Sequence, residues 1–378
     1  MAIGLIVSIV SLAYITYVYA LWVSHEKKDY NYTGKFSVII PCFNEGYKEL
    51  IECVSSCMEA NGDKEVILVS NNSNKRETFE AIKLLKEKYP DLKILSQPKQ
   101  GKRFAHAKGL AYSHNDIICF VDSDTIVEKD SFLELIKPFS DETVGGSCGE
   151  AKVANRTKNI LTRSISAMFW TSFNIHRKAT ATTGYMQVAS GCISSYRKED
   201  LLKLEYDYLN QTFLGRPCSI SDDRYLTTRI QTVLNKTMAY QEKAVCYTYV
   251  PEEPIKAWKM IERWRRGANR ELILMWKNPK LNLHFIDSQL NLLIVTAIAL
   301  LKPYFLFMFF TSLSPMYLLL YFAHFFLIIL LYSSIMIVEN PKELLYKFTW
   351  ALMYEFFFIF TFFPGLFRIR NQGAWSTR

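Results

Sequence analysis

The chain has 378 residues, half of them hydrophobic, eight cysteines and a formal net charge of +9. That length suits one large soluble domain plus membrane segments. No C-x-x-C pair and no recognisable nucleic-acid module occur, so zinc and nucleic acid are set aside, and the thiols read as reduced residues of a cytosolic domain.

Residues 2–23, AIGLIVSIVSLAYITYVYALWV, carry no charge and are long enough to span a bilayer. No small-residue cleavage pattern clearly follows, so an anchor is expected. KFSVIIPCFNE (35–45) predicts a buried parallel strand running into a loop. ECVSSCMEA has helical spacing, KEVILVSNNSN (64–74) is a second strand, and TFEAIKLLKEKYP is an amphipathic helix stopped by Pro90. LKILSQP and DIICFVDSD supply a third and a fourth strand. The alternation predicts an α/β domain with a parallel sheet covered by helices on both faces. Ligands of such sheets bind beyond the carboxyl ends of the strands. Those ends carry Asn44, Glu45, Asn71, Asn72, Asp122 and Asp124.

The stretch IICFVDSDTIVEKD (117–130) ends an apolar strand in two carboxylates one residue apart. Asp and Ser favour surface turns. Two hard oxygen ligands also suit Mg²⁺ or Mn²⁺ when a substrate phosphate completes the shell. Convergence of the other polar residues on the same edge favours the metal and a nucleotide. KQGKRFAHAKG (99–109) sets Lys102 and Arg103 beside a glycine just before a helix, a place that suits a diphosphate. SISDDRYLTTRI (219–230) sets Asp222 and Asp223 at a helix start. Acids there cap the helix and suit its dipole. One of them also fits as a general base toward an attacking hydroxyl.

Three more apolar segments follow, at about 289–312, 316–338 and 344–367. Lys342 and Lys347 flank the start of the last, and the tail RIRNQGAWSTR has three arginines and no acid. Positive flanks prefer the cytoplasm, so both ends of 344–367 belong on one side. The expected organisation is a transmembrane helix at 1–24, a cytoplasmic α/β domain at 35–250, an interfacial helix at 251–285 and two transmembrane helices in 286–338. Residues 339–378 form an interfacial or re-entrant helix and a tail. Four crossings are the simple alternative. Excess Lys and Arg then answer to anionic lipid.

The order VIIPCFNE, GKR, DSD, SGCISSYR, NQTFLGRPCSISDDRYLT, ERW and WSTR resembles membrane-bound family 2 glycosyltransferases with the GT-A fold. Within these it is most similar to class I hyaluronan synthases of the streptococcal type, from about residue 36 to the C-terminus. The resemblance implies that Asp124, helped by Asp122, ligates Mg²⁺ or Mn²⁺ at the UDP phosphates. It puts Asn44 and Asn71 near the uridine, and Lys102 and Arg103 at the diphosphate and donor sugar. Asp223 would be the base, with Asp222 beside it, and Ser190, Gly191 and Cys192 would border the acceptor pocket. Arg263 and Trp264 match the R-W of a Q-x-x-R-W motif, the arginine meeting the diphosphate and the tryptophan the acceptor. Trp375, Ser376, Thr377 and Arg378 match a W-G-T-R loop that closes over the nucleotide. The chain departs from the pattern at Met260, Ser221 and Ser376, and at Asn71-Asn72-Ser73 where the family has D-D-G-S.

The activity so implied is processive and inverting. Hyaluronan would be polymerised from UDP-glucuronate and UDP-N-acetylglucosamine, with the growing polysaccharide exported through the plasma membrane toward a capsule. A single-donor synthase, chitin-like or glucuronan, is the alternative. Transfer of one sugar to a lipid carrier and a catalytically dead scaffold are weaker rivals. Membrane lipids are expected partners, and a homo-oligomer is one way to complete a channel.

Overall fold

The computed structural model describes residues 2–26, 28–277 and 283–370. In chain order come α1 (Ala2–Val23), β1 (Phe36–Cys42), α2 (Tyr47–Glu59), β2 (Lys64–Asn71), α3 (Arg76–Lys88) and β3 (Lys93–Gln97). Next are α4 (Lys102–Tyr112), β4 (Ile117–Val121), β5 (Thr125–Val127), α5 (Ser131–Ile136), β6 (Val144–Val153), α6 (Ile160–Thr171) and α7 (Lys178–Ala181). Then come β7 (Ile193–Arg197), α8 (Lys198–Leu209), β8 (Thr212–Phe213), β9 (Arg216–Pro217), α9 (Asp222–Thr232) and β10 (Thr237–Thr248). The last elements are α10 (Pro254–Leu274), α11 (Leu283–Ser312), α12 (Pro315–Glu339) and α13 (Leu344–Phe367).

These elements form two compact units. The sheet unit is made of residues 26–155 and 184–250, and the helical unit of 1–25, 156–183 and 251–369.

The sheet unit is built on an eight-stranded sheet in the order β3-β2-β1-β4-β7-β6-β10-β5. Its first four strands run parallel, as their apolar runs predict: β1 pairs with β2 and with β4, and β2 with β3. β1 and β4 are buried along their whole length, which is why both read as unbroken hydrophobic stretches. The expected all-parallel sheet is corrected beyond β4. β7 runs antiparallel to both β4 and β6, and β5 antiparallel to β10, so the sheet is mixed. β7 hides from a sequence reading because it buries two serines. Ser195 Oγ lies 3.0 Å from Ser147 Oγ, so these small hydroxyls satisfy each other inside the core.

Sheet geometry fixes where the loops emerge. β1 lies between β2 and β4, so the residues after Cys42, Asn71 and Val121 share one edge. α4 is pressed onto β1 through Gly109, where a Cβ would lie 2.5 Å from Ile39 Cγ2. Only glycine allows that approach. It brings the first turn of α4 to the same edge.

In the helical unit, Tyr14 and Val18 of α1 pack with Ile175, Ala179 of α7, Ile294 of α11 and Ile335 of α12. Between α6 and α7, Ser172–Arg177 winds as a π-helix. α10 buries an ion pair between Glu262 and Arg266, 3.0 Å apart. The four apolar runs expected to meet the membrane are covered by α1, α11, α12 and α13. Among the described residues, no helix is long and apolar enough to cross a membrane.

Candidate active site

β4 ends in a tight turn. The Thr125 amide donates to the Asp122 carbonyl at 3.0 Å, and β5 follows at once. Two contacts hold that turn from beneath. Ser123 Oγ donates to Glu45 Oε2 at 2.6 Å, and Cys53 Sγ donates to the Asp122 carbonyl at 3.3 Å. Burying Ser123 leaves Asp122 and Asp124, on either side, half-buried at the rim. The two carboxylates expected to hold a metal are therefore presented together by one anchored turn.

The turn borders a cavity of about 250 Å³, lined by Pro41, Phe43, Gly101, Lys102, Asp122 and Ser219 among others. Lys102 Nζ pairs with Asp122 Oδ1. Burial opposes the ammonium charge, but attraction to Asp122 and its hydrogen bond, with Asp223 and Asp222 behind, leave the Lys102 pKa raised. Gly101, at φ 133°, takes a backbone conformation that favours glycine and starts α4.

The next residue faces elsewhere. The resemblance sets Arg103 at the diphosphate, yet its side chain is 3% exposed and its Nη2 donates to Asp222 Oδ1 at 2.8 Å. Its Nη1 donates to the Tyr208 carbonyl at 3.3 Å. Asp222 is equally buried, so the two acids at the start of α9 separate. Asp222 is an internal ion-pair partner. Asp223 is half-exposed and accepts a local bond from the Arg224 amide at 2.8 Å. Ser221 just before them sits in the left-handed region at φ 57° and ψ 48°.

Ser190, Gly191 and Cys192 do reach this edge. A Cβ on Gly191 would lie 3.0 Å from Lys102 Nζ and 3.3 Å from Asp122 Oδ2. The segment before them is laced to α9. Thr227 Oγ1 accepts from the Ala189 amide at 2.9 Å, Gln231 bonds both the amide and the carbonyl of Met186, and Arg224 donates to the Gln187 carbonyl. Burial, then the nearby Asp122 carboxylate, push the Cys192 thiol up to about 12, so it stays protonated.

The two asparagines of the nucleotide side are structural clasps. Asn71 Nδ2 donates to the carbonyls of Gln97 and Lys99, and its Oδ1 accepts from the Gly101 amide at 2.7 Å. An aspartate there would lose both donated bonds. Asn44, at φ 51°, accepts through Oδ1 from the amides of Asn74 and Lys75, at 2.8 and 3.1 Å. Together they hold three loops of the edge in place.

Behind Lys102 lies a buried layer that no motif announces. His106 stacks on Phe120 at 4.0 Å, and its Nδ1 lies 2.9 Å from the Tyr208 hydroxyl. Burial, then the positive charges of Lys102 and Arg103, hold its pKa well below the ordinary histidine value. The end of β1 places Glu45 at this edge, but spacing gives no sign of its grip on Ser123.

Arg263 and Trp264 lie on α10 in the helical unit, where the Trp264 ring is 37% exposed and 6.1 Å from Phe169. Trp375, Ser376, Thr377 and Arg378 lie outside the described residues.

A strand-edge cavity with a D-x-D turn, a lysine at a helix start and a second acidic pair is the arrangement a nucleotide-sugar enzyme needs. Residues 37–204 match the family model for glycosyl transferase family 2. Over that stretch the chain is similar to family 2 glycosyltransferases. It is 34% identical over 249 residues to a hyaluronan synthase of Streptococcus pyogenes, a match covering 64% of this chain and 59% of that one. It is also 31% identical over 252 residues to an N-acetylglucosaminyltransferase of Azorhizobium caulinodans, covering 66% and 63% respectively. The matched region thus spans about three fifths of these curated relatives. Among solved structures, a mannosyltransferase from Pyrobaculum calidifontis in complex with GDP-Man and Mn²⁺ aligns over 97% of this chain and 98% of its own, with TM-score 0.66 and 18% identity. That likeness establishes the GT-A fold.

Proposed function

We propose that the protein is a processive, inverting UDP-sugar glycosyltransferase that polymerises hyaluronan from UDP-glucuronate and UDP-N-acetylglucosamine. The 34% identity to a hyaluronan synthase carries this reading. The geometry supports it: Lys102 and Asp122 line the cavity, Gly191 abuts both, and Asp223 heads the helix tied to the Gly191 segment.

In this reading the cavity holds the donor, and the Lys102 ammonium faces the diphosphate, stabilising charge where it develops. Asp223 takes the proton from the acceptor hydroxyl, whose oxygen displaces UDP from the anomeric carbon in one inverting step. The Ser190–Cys192 segment borders the acceptor. Asp124 and Asp122 fit a hard divalent cation, because both are carboxylates on one anchored turn beside the cavity. When bound, such a cation neutralises the diphosphate of the leaving group. Arg263, Trp264 and the tail residues Trp375, Thr377 and Arg378 keep the roles their motifs imply, at the diphosphate, the acceptor and the nucleotide.

Membrane attachment belongs to the same proposal, with three crossings, a plasma-membrane location and the sheet unit in the cytoplasm. Its support is the apolar surface of α11 and α12, where Leu293, Leu300, Phe307, Phe310, Leu319 and Phe326 are exposed large side chains. Charged flanks set the orientation.

A single-donor synthase is the second reading, favoured by the 31% identity to an N-acetylglucosaminyltransferase. The deciding experiment follows UDP release by purified enzyme with Mg²⁺ or Mn²⁺, offering UDP-glucuronate, UDP-N-acetylglucosamine, or both. Sustained release only with both donors, giving a product that hyaluronidase digests, is the expected result. Sustained release with one donor would replace hyaluronan by a homopolymer.

A further inference from the structure

The consecutive residues Lys102 and Arg103 open α4 and point to different acids. Lys102 pairs with Asp122 at the cavity rim, while Arg103 pairs with Asp222 in the interior. Arg103 also donates to the Tyr208 carbonyl and lies 5.7 Å from the Tyr208 ring centroid. Tyr208 in turn stacks toward His106 and packs against Tyr225 of α9, at 6.3 and 5.9 Å. The starts of two helices separated by 119 residues are therefore joined by one buried guanidinium. An arginine so enclosed has no face left for a substrate. A charge pair this deep costs desolvation and persists only with near-complete partnering.

We infer that Arg103 and Asp222 are positioning residues, whose buried ion pair docks the start of α9 onto the start of α4 and so sets Asp223 beside the donor cavity. This rests on the reading of Asp223 as the base. Asp222 fixes the first turn of α9, and Asp223 is the very next residue, so a shift of that turn carries the base with it. Lys102 and Arg103, being adjacent, make the cavity rim and the base helix move as one piece. The departure at Ser221 fits: the left-handed residue before Asp222 turns the chain sharply into the docked helix.

The test separates docking from direct diphosphate binding. Arg103→Gln, Asp222→Asn and the double variant are compared with the wild type for melting temperature, UDP affinity, and donor KM and kcat with whichever UDP-sugar the wild type turns over. Each single variant strands a buried charge or donor. The expected result for Arg103→Gln is a melting temperature lower by about 10 °C and a kcat down about 100-fold, the scale of a base misplaced by an ångström. The double variant replaces the ion pair by two amides. It is expected to regain at least half of the lost melting temperature and to return kcat to within about tenfold of the wild type, with donor KM and UDP affinity within about twofold throughout. Recovery of melting temperature without recovery of kcat, together with a raised KM or weakened UDP binding in both Arg103 variants, would overturn the inference and return Arg103 to the diphosphate. If Arg103→Gln does not fold, Arg103→Lys serves: docking predicts lost kcat at constant UDP affinity, and diphosphate contact predicts weaker UDP binding. A wild type that turns over no UDP-sugar would sink the proposed activity, while the melting and UDP-binding arms still decide whether the pair docks α9.

Discussion

The sheet unit contains two acidic turns, and they solve the same problem with different degrees of burial. In the turn after β4, Asp122 is paired to Lys102 at the rim while Asp124 stands two residues further along. At the start of α9, Asp222 is paired to Arg103 in the interior while Asp223 stays half-exposed. Each turn commits one carboxylate to a cation of the Lys102-Arg103 dipeptide. The choice of cation follows the depth. The lysine nearer the rim, 14% exposed, keeps a compact point charge beside the cavity that a ligand can approach. The buried position takes arginine, whose weakly hydrated fork bonds both Asp222 and the Tyr208 carbonyl. At the start of α9 two neighbouring carboxylates thus become a held one and an available one, which is a division a repetitive-looking D-D does not advertise.

The sharpest way to break this comparison is to remove the available member at α9. Asp223→Asn keeps the shape and the Arg224 amide bond while removing the base. A drop in kcat of about 1,000-fold with donor binding unchanged is expected, since a positioned general base contributes on that scale. Near-normal turnover would assign the proton transfer to another group and erase the distinction between Asp222 and Asp223.

Much of this edge is legible in the amino-acid sequence. Strands β1, β2 and β4 are long apolar runs, and the polar residues that end them sit together because those strands are neighbours in the sheet. The family resemblance places Gly191 and its neighbours at the site, and Gly191 does abut Lys102 and Asp122. The partner of each side chain is what spacing does not reveal. Arg103 and Asp222 meet only through the packing of α4 and α9. Asn71 is spent on the loop carbonyls of Gln97 and Lys99, contacts set by how β2 and β3 end. Sheet direction is equally hidden, because β7 enters from beyond a long helical excursion and carries serines where a buried strand normally shows Val or Ile.

The comparison sharpens at His106, which lies between the two cations and the aromatic layer. Burial and the charges of Lys102 and Arg103 keep it neutral when folded, with its pKa lowered well below 6.5. In the unfolded chain it takes up a proton near pH 6.5. Below that pH the unfolded state binds one more proton, so stability falls as pH falls, by up to about 1.4 kcal/mol per unit from this residue. His106→Phe keeps the stack on Phe120 and loses the Tyr208 bond. It should be less stable at pH 7.5 but lose less on acidification. Equal losses between pH 7 and 5.5, followed by thermal melting, would mean that His106 is charged in the folded state and that the layer tolerates a third cation.

The smallest effect concerns the residue that aims the deeper turn. Ser221 holds φ 57° with no side-chain capping bond to the helix it precedes. A non-glycine residue in this region is strained by about 1–2 kcal/mol. Glycine would remove that strain but bring more freedom to the unfolded chain, which offsets roughly half of it. Ser221→Gly is therefore expected to stabilise by about 0.5–1 kcal/mol and raise the melting temperature by a few degrees, with kcat little changed because the Arg103–Asp222 pair still docks α9. A lower melting temperature would mean that the serine hydroxyl supports the turn more than its backbone costs. A higher melting temperature joined to a large loss of kcat would mean that rigidity at Ser221, and not only the buried pair, keeps Asp223 in place.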